Sequence, residues 1–193
     1  MMTDKAAVFI DGGYFAKVRI ALGVYDVDFC KFSDLLCSLS GKERLFTFYY
    51  DAPPFQSAIP TADEKARKAR FDAFEYSLRR NPRFIPRLGK LSRVDTVCEK
   101  CGDRVTKYKQ KRVDNLLTVD LTRAIWKDNI HEAILVTGDS DFVPAVEEAS
   151  RAQIIAHVYY LRQGDTTIHD ELYMACSERT EITKDLLEKA RRT

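Results

Sequence analysis

Residues 6–15 read A-A-V-F-I-D-G-G-Y-F. Five apolar residues, Ala6–Ile10, run straight into Asp11, and two glycines follow. An unbroken run of this kind is the pattern of a strand covered on both faces, and its end is a costly place for an unpaired carboxylate. Asp11 therefore needs something to face: a helix N-terminus to cap, a partner cation, or a metal ion.

Similar runs recur at Leu45–Tyr50, Ala133–Thr137 and Ile154–Tyr160, while Arg83–Leu88, broken by Pro86, suits an edge strand. Helical patterns lie between them at Tyr14–Leu22, Asp28–Leu39, Asp63–Arg80, Val113–Trp126 and Ser140–Arg151. Along Asp63–Arg80, the residues Ala66, Ala69, Phe71, Phe74 and Leu78 form the expected core face. Strands alternating with helices predict an α/β fold, a mostly parallel sheet flanked by helices on both faces. Asp51–Asp63, with three prolines, reads as a loop, and Gly89–Arg112 as a long basic connection. The end of the chain reads as a short strand and a helical tail, about 181–193. With no repeat or linker, residues 1–193 read as one domain whose core spans about 6–160.

The 193 residues carry a formal charge of +2, unevenly spread. Arg79–Arg112 holds twelve bases against three acids, a net +9 that leaves −7 elsewhere. A segregated basic stripe concentrates polyanions, most often phosphate backbones. Arg104, Lys107, Lys109, Lys111 and Arg112 are the candidate backbone contacts, and Tyr14 or Tyr108 the candidate stacking platform. No run approaches the roughly 18 apolar residues of a membrane span. The first residues lack the pattern of a signal peptide, and five cysteines, an odd number, suit a reducing, cytoplasmic setting.

In an open parallel sheet, ligands bind beyond the carboxyl ends of the strands. Asp11 ends one strand, and I-L-V-T-G-D-S-D-F (134–142) sets Asp139, Ser140 and Asp141 at the end of another. K-R-V-D-N-L-L-T-V-D (111–120) sets Asp114 near a helix start just after the basic connection. Neighbouring strands would bring Asp11, Asp114, Asp139 and Asp141 together. Clustered carboxylates raise one another's pKa unless a divalent cation neutralises them, and Mg²⁺ or Mn²⁺ takes hard oxygen ligands. Duller roles exist: Asp141 or Ser140 as the cap of the helix beginning near Phe142, and Asp114 as another helix cap. Asp11 and Asp139 have the weakest structural excuses. Asp120 lies about 240° around the helix from Asp114 and reads as a supporting group, as does Ser140. Asp51 reads as a turn residue before its prolines.

C-E-K-C-G (98–102) is half of a zinc knuckle, and Cys98 and Cys101 fall short of the four ligands a structural zinc needs. A second copy of the chain in a homo-oligomer, or a distant ligand, would have to complete it. Cys30, Cys37 and Cys176 read as buried small hydrophobes. None of the three histidines falls in a recognisable acidic motif, and no Walker loop or G-x-S-x-G is present.

Four blocks in order, A-V-F-I-D-G-G-Y-F, F-T-F-Y-Y-D-A-P-P, Q-K-R-V-D-N-L-L-T-V-D-L and A-I-L-V-T-G-D-S-D-F-V-P-A-V-E-E-A, resemble the NYN domain family of PIN-like ribonucleases. The resemblance runs from about Ala6 to Tyr160. It implies a PIN-like Rossmannoid sheet and RNA cleavage with Mg²⁺ or Mn²⁺ held by acids that match Asp11, Asp114 and Asp139, with Asp141 a fourth. The family often has an asparagine after the first glycines, where this chain has Gly13 and Tyr14, and an Ala-Asp pair near the end, where it has Cys176 and Ser177. Two rivals remain: an inactive nucleic-acid-binding or adaptor module on the same fold, and a haloacid-type phosphatase. The phosphatase wants a second aspartate where Gly13 stands.

Overall fold

A computed structural model describes residues 4–97 and 101–192, apart from the side chains at 95 and 107–111. The apolar run becomes β1 (Lys5–Asp11), and β2 (Glu43–Asp51) and β6 (Glu132–Val136) pair with it on either side. β3 (Phe84–Leu88), β7 (Ile155–Tyr160) and β8 (Glu178–Glu181) extend the sheet in the order β3-β2-β1-β6-β7-β8, and every pairing is parallel. The expected sheet is therefore present, with the Pro86 strand at its edge.

Alternate strand residues feed two apolar layers, as the pleat requires. Ala6, Val8 and Ile10 face α1 (Gly12–Leu22), α2 (Phe29–Leu39) and the tail helix α7 (Lys184–Lys189). Ala7 and Phe9 face α4 (Val113–Lys127), α5 (Val143–Arg151) and α6 (Asp170–Ala175). Residues 6–10 are wholly buried, so each large side chain among them contributes roughly 1.5–3 kcal/mol. Cys37 and Cys176 are buried in these layers, as small apolar residues would be, whereas Cys30 is half-buried against the Arg44 guanidinium, 3.2 Å away.

Two expectations fail. α3 (Ala62–Arg79) begins with a Thr61/Glu64 capping box, but Ala66 and Ala69 are exposed and Leu78 is its one buried residue. Its many charges solvate it, leaving only its C-terminal turns to pack on the sheet. The connection after β3 is an antiparallel ribbon of β4 (Lys90–Val97) and β5 (Arg104–Lys111), paired from Lys90↔Lys111 to Val97↔Arg104. Its charges masked the period-two alternation of a ribbon that stands apart from the main sheet. No helix among the described residues is long and apolar enough to cross a membrane.

Candidate functional site

The chain leaves β1 toward one edge of the sheet and β6 toward the other, so the crevice between their carboxyl ends is a topological switch point. Asp11, Asp114 and Asp139 line a cleft of about 530 Å³ there, with Gly13, Lys17 and Gly138. Asp114 also walls an adjoining cleft that contains Ser140 and the exposed Asp141. Two of the acids have a second task that their strand-end position did not reveal. Asp11 Oδ1 accepts from the Tyr14 amide at 3.1 Å and caps α1, while Asp139 Oδ1 accepts from the Asp141 amide at 3.1 Å and caps the 3-10 turn Ser140–Phe142. The cap is thus Asp139 rather than Asp141 or Ser140. Asp114 is not a cap either, because Arg112, in the left-handed region at φ 74°, holds that position and leaves Asp114 in the first turn of α4. Among the described residues neither Asp114 nor Asp141 accepts a hydrogen bond from a side chain.

Burial pushes the Asp11 carboxyl above its ordinary range, against two backbone amides that pull it down, and Asp114 adds repulsion. Burial likewise raises Asp114, with Asp139 and Asp141 repelling it. Hard carboxylate oxygens and mutual repulsion, set against Lys17 and His169 as the basic side chains on the cleft wall among the described residues, fit a divalent cation. Among the described residues no three of these aspartates bring oxygens within 4.8 Å of one another.

Gly138 fixes the far wall. A Cβ there would lie 2.2 Å from the Thr167 carbonyl oxygen and 2.6 Å from Tyr14 Cε2, while the His169 amide donates to the Gly138 carbonyl at 3.0 Å. Gly138→Ala is expected to cost about 1–3 kcal/mol through overpacking, read as a lowered urea midpoint. An unchanged midpoint would refute this close approach.

The Thr166–His169 segment was invisible to motif reading. It follows β7, lines the cleft with Asp165, and brings His169 Nδ1 to 2.8 Å from Ser140 Oγ across 29 residues of sequence. The available signal was its position after a strand of the parallel sheet, where a loop must lie at the carboxyl edge.

Other candidates fall elsewhere. Tyr14 is 9% exposed and its hydroxyl accepts from the Leu161 amide at 2.9 Å, so it walls the cleft but has no free face for a stacking base. Asp120, 5% exposed, takes Arg87 Nε at 2.6 Å and the second guanidinium nitrogen at 3.0 Å, plus the Tyr50 hydroxyl at 3.2 Å. It secures α4 to the sheet, away from the acidic cleft. Asp51 accepts from the Tyr49 hydroxyl at 3.0 Å and the Ala52 amide at 2.7 Å, a strand-end turn contact. Arg104 and Arg112 are exposed at the two ends of β5. The side chains of Lys107, Lys109 and Lys111 lie outside the described residues, as does Cys98, and Cys101 is exposed.

No curated protein matches the chain. It is similar in structure to a protein of unknown function from Vibrio parahaemolyticus, at 20% identity and a TM-score of 0.55, over 95% of each chain. That likeness supports the fold alone. The family model for the NYN domain matches residues 5–183, and with the parallel PIN-like sheet and its acid-bearing strand ends this settles the ancestry: the chain belongs to the NYN domain family.

Proposed function

We propose that the protein is a metal-dependent ribonuclease whose Asp11, Asp114 and Asp139, with Asp141 beside them, hold Mg²⁺ or Mn²⁺. The supporting observation is the convergence of Asp11, Asp114 and Asp139, with Asp165 beside them, on one cleft at the switch point, Asp11 and Asp114 with raised pKa. When bound, such a cation polarises water and offsets charge on a phosphodiester. The chain's own residues supply the rest. The caps on Tyr14 and Asp141 hold the Asp11 and Asp139 carboxylates in fixed rotamers before substrate arrives. Lys17, on the cleft wall, offers a positive charge to a phosphate oxygen. Ser140 and His169 brace the turn that carries Asp139. The Arg79–Arg112 stripe, which includes the ribbon next to α4, draws the polyanion toward Asp114.

Labelled single-stranded RNA incubated with Mg²⁺ or Mn²⁺ is expected to be cut, and EDTA is expected to stop it. Asp139→Asn keeps the cap on Asp141 and should lower the rate by about 10²-fold or more. Equal cleavage by parent and variant would refute the site. Salt-sensitive binding without any cleavage would establish the adaptor reading instead.

A further inference from the structure

The other end of the same strands carries a second constellation. Glu132 opens β6, His157 lies within β7 and Glu178 opens β8, on three neighbouring parallel strands. Their ligand atoms all lie within 4.8 Å of one another. Glu132 is 1% and His157 5% exposed, while Glu178 is open to solvent at the sheet edge. The five-residue strand β6 runs from Glu132 toward the acidic cleft, a span of about 16 Å.

We propose that Glu132, His157 and Glu178 form a site for a borderline divalent transition cation, zinc above all, that fastens the edge strand β8 to β6 and β7. The distances fit. Ligand atoms about 2.0–2.1 Å from a tetrahedral zinc lie roughly 3.3 Å from each other. His157 Nδ1 is 2.8 Å from Glu132 Oε1 and 3.6 Å from Glu178 Oε2, so these two separations bracket the value an ion requires. His157 Nε2 lies 2.8 Å from Thr180 Oγ1, a hydroxyl placed to accept an Nε2 proton once a cation takes the Nδ1 lone pair. An outward N–H held by such a partner is the usual support of a ligating histidine.

The remaining contacts are compatible with occupancy. Ser40 Oγ donates to Glu132 Oε1 at 2.9 Å, whereas Lys42 Nζ lies 3.5 Å from the other oxygen, Oε2. Lys42 can therefore keep its partner while the cation takes the place between Oε1 and Nδ1. When the imidazole carries a proton at Nδ1, that proton leaves to solvent as the N–metal bond forms. Two carboxylates against one ammonium keep the site net negative with the imidazole neutral. Glu178, at the surface, provides an entry path and leaves a fourth position for water. An imidazole beside two carboxylates favours Zn²⁺ or Co²⁺ over Mg²⁺, unlike the all-carboxylate cleft.

The full chain, stripped with EDTA and held in excess Mg²⁺, is titrated with Co²⁺ while visible absorption is followed. About one Co²⁺ per chain should give the intense band of a low-coordinate site, and Zn²⁺ should displace it. Glu178→Gln, at an exposed position, should weaken binding at least tenfold, and Thr180→Val by about tenfold. Zn²⁺ should raise the melting temperature of the parent but not of Glu178→Gln. Asp11→Asn should leave the band unchanged. No band, a band indifferent to Glu178→Gln, or a band lost in Asp11→Asn would each overturn the site; the last would place the cation in the acidic cleft. None of these outcomes depends on RNA cleavage.

Discussion

Asp11→Asn is expected to reduce metal-dependent RNA cleavage by about 10³-fold or more, equivalent to roughly 4 kcal/mol of transition-state stabilisation, and to leave the fold intact. The asparagine oxygen can still accept from the Tyr14 amide, because Asn and Asp are comparable helix caps. What is lost is the charge, together with the acceptor at Oδ2 that takes a long 3.4 Å bond from the Thr137 hydroxyl. That charge has a cost in the metal-free protein, because burial and Asp114 hold the Asp11 carboxyl above its ordinary value of 3.8. A carboxyl raised in the folded state contributes stability below its unfolded pKa and loses it as pH rises through the folded pKa. In EDTA, the variant should therefore melt higher than the parent near neutral pH, with the difference shrinking toward pH ~4. Mn²⁺ should raise the parent's melting temperature and have much less effect on the variant. A variant that cleaves like the parent, or that melts lower in EDTA at neutral pH, would contradict this account of Asp11. The site would then be an ordinary capped helix start.

Arg87→Ala should be the most destabilising of the substitutions considered, by about 3 kcal/mol. It removes both guanidinium bonds to Asp120 and leaves a buried carboxylate with, among the described residues, only the Tyr50 hydroxyl. Arg87 itself is partly solvated, so the loss comes mainly from the stranded Asp120 charge rather than from the pair's own attraction. Chemical denaturation measures it directly, and a loss below about 1 kcal/mol would show that water reaches Asp120. The double variant Arg87→Met/Asp120→Leu provides the control. Replacing both partners with apolar groups of similar size should recover most of the stability, since no charge is left buried. Because Asp120 lies on the helix whose first turn carries Asp114, Arg87→Ala should also slow cleavage by loosening that helix.

The parallel sheet, the flanking helices and three acids of the cleft were legible because their signals are local. An apolar run that ends in a carboxylate needs only neighbouring residues to be read, as at Asp11 and, after Gly138, at Asp139, and Asp114 stands out by its place near a helix start. Local reading went astray where charge hid a pattern. The lysines of β5 obscured a ribbon, and the apolar spacing of α3 suggested burial that its exposed surface does not have.

What the chain alone could not determine was the set of partners brought together from distant segments. That Asp11 and Asp139 are caps as well as cleft acids follows from backbone geometry at each helix start. That His169 braces Ser140, that Arg87 neutralises Asp120, and that Glu132, His157 and Glu178 share one point depends on parallel strands placing remote residues side by side. The sequence determined which residue types stand at the strand ends, because burial and turn chemistry act within a few residues. Only the tertiary structure decided what each of them faces, because distance and solvent exclusion are set by the whole sheet.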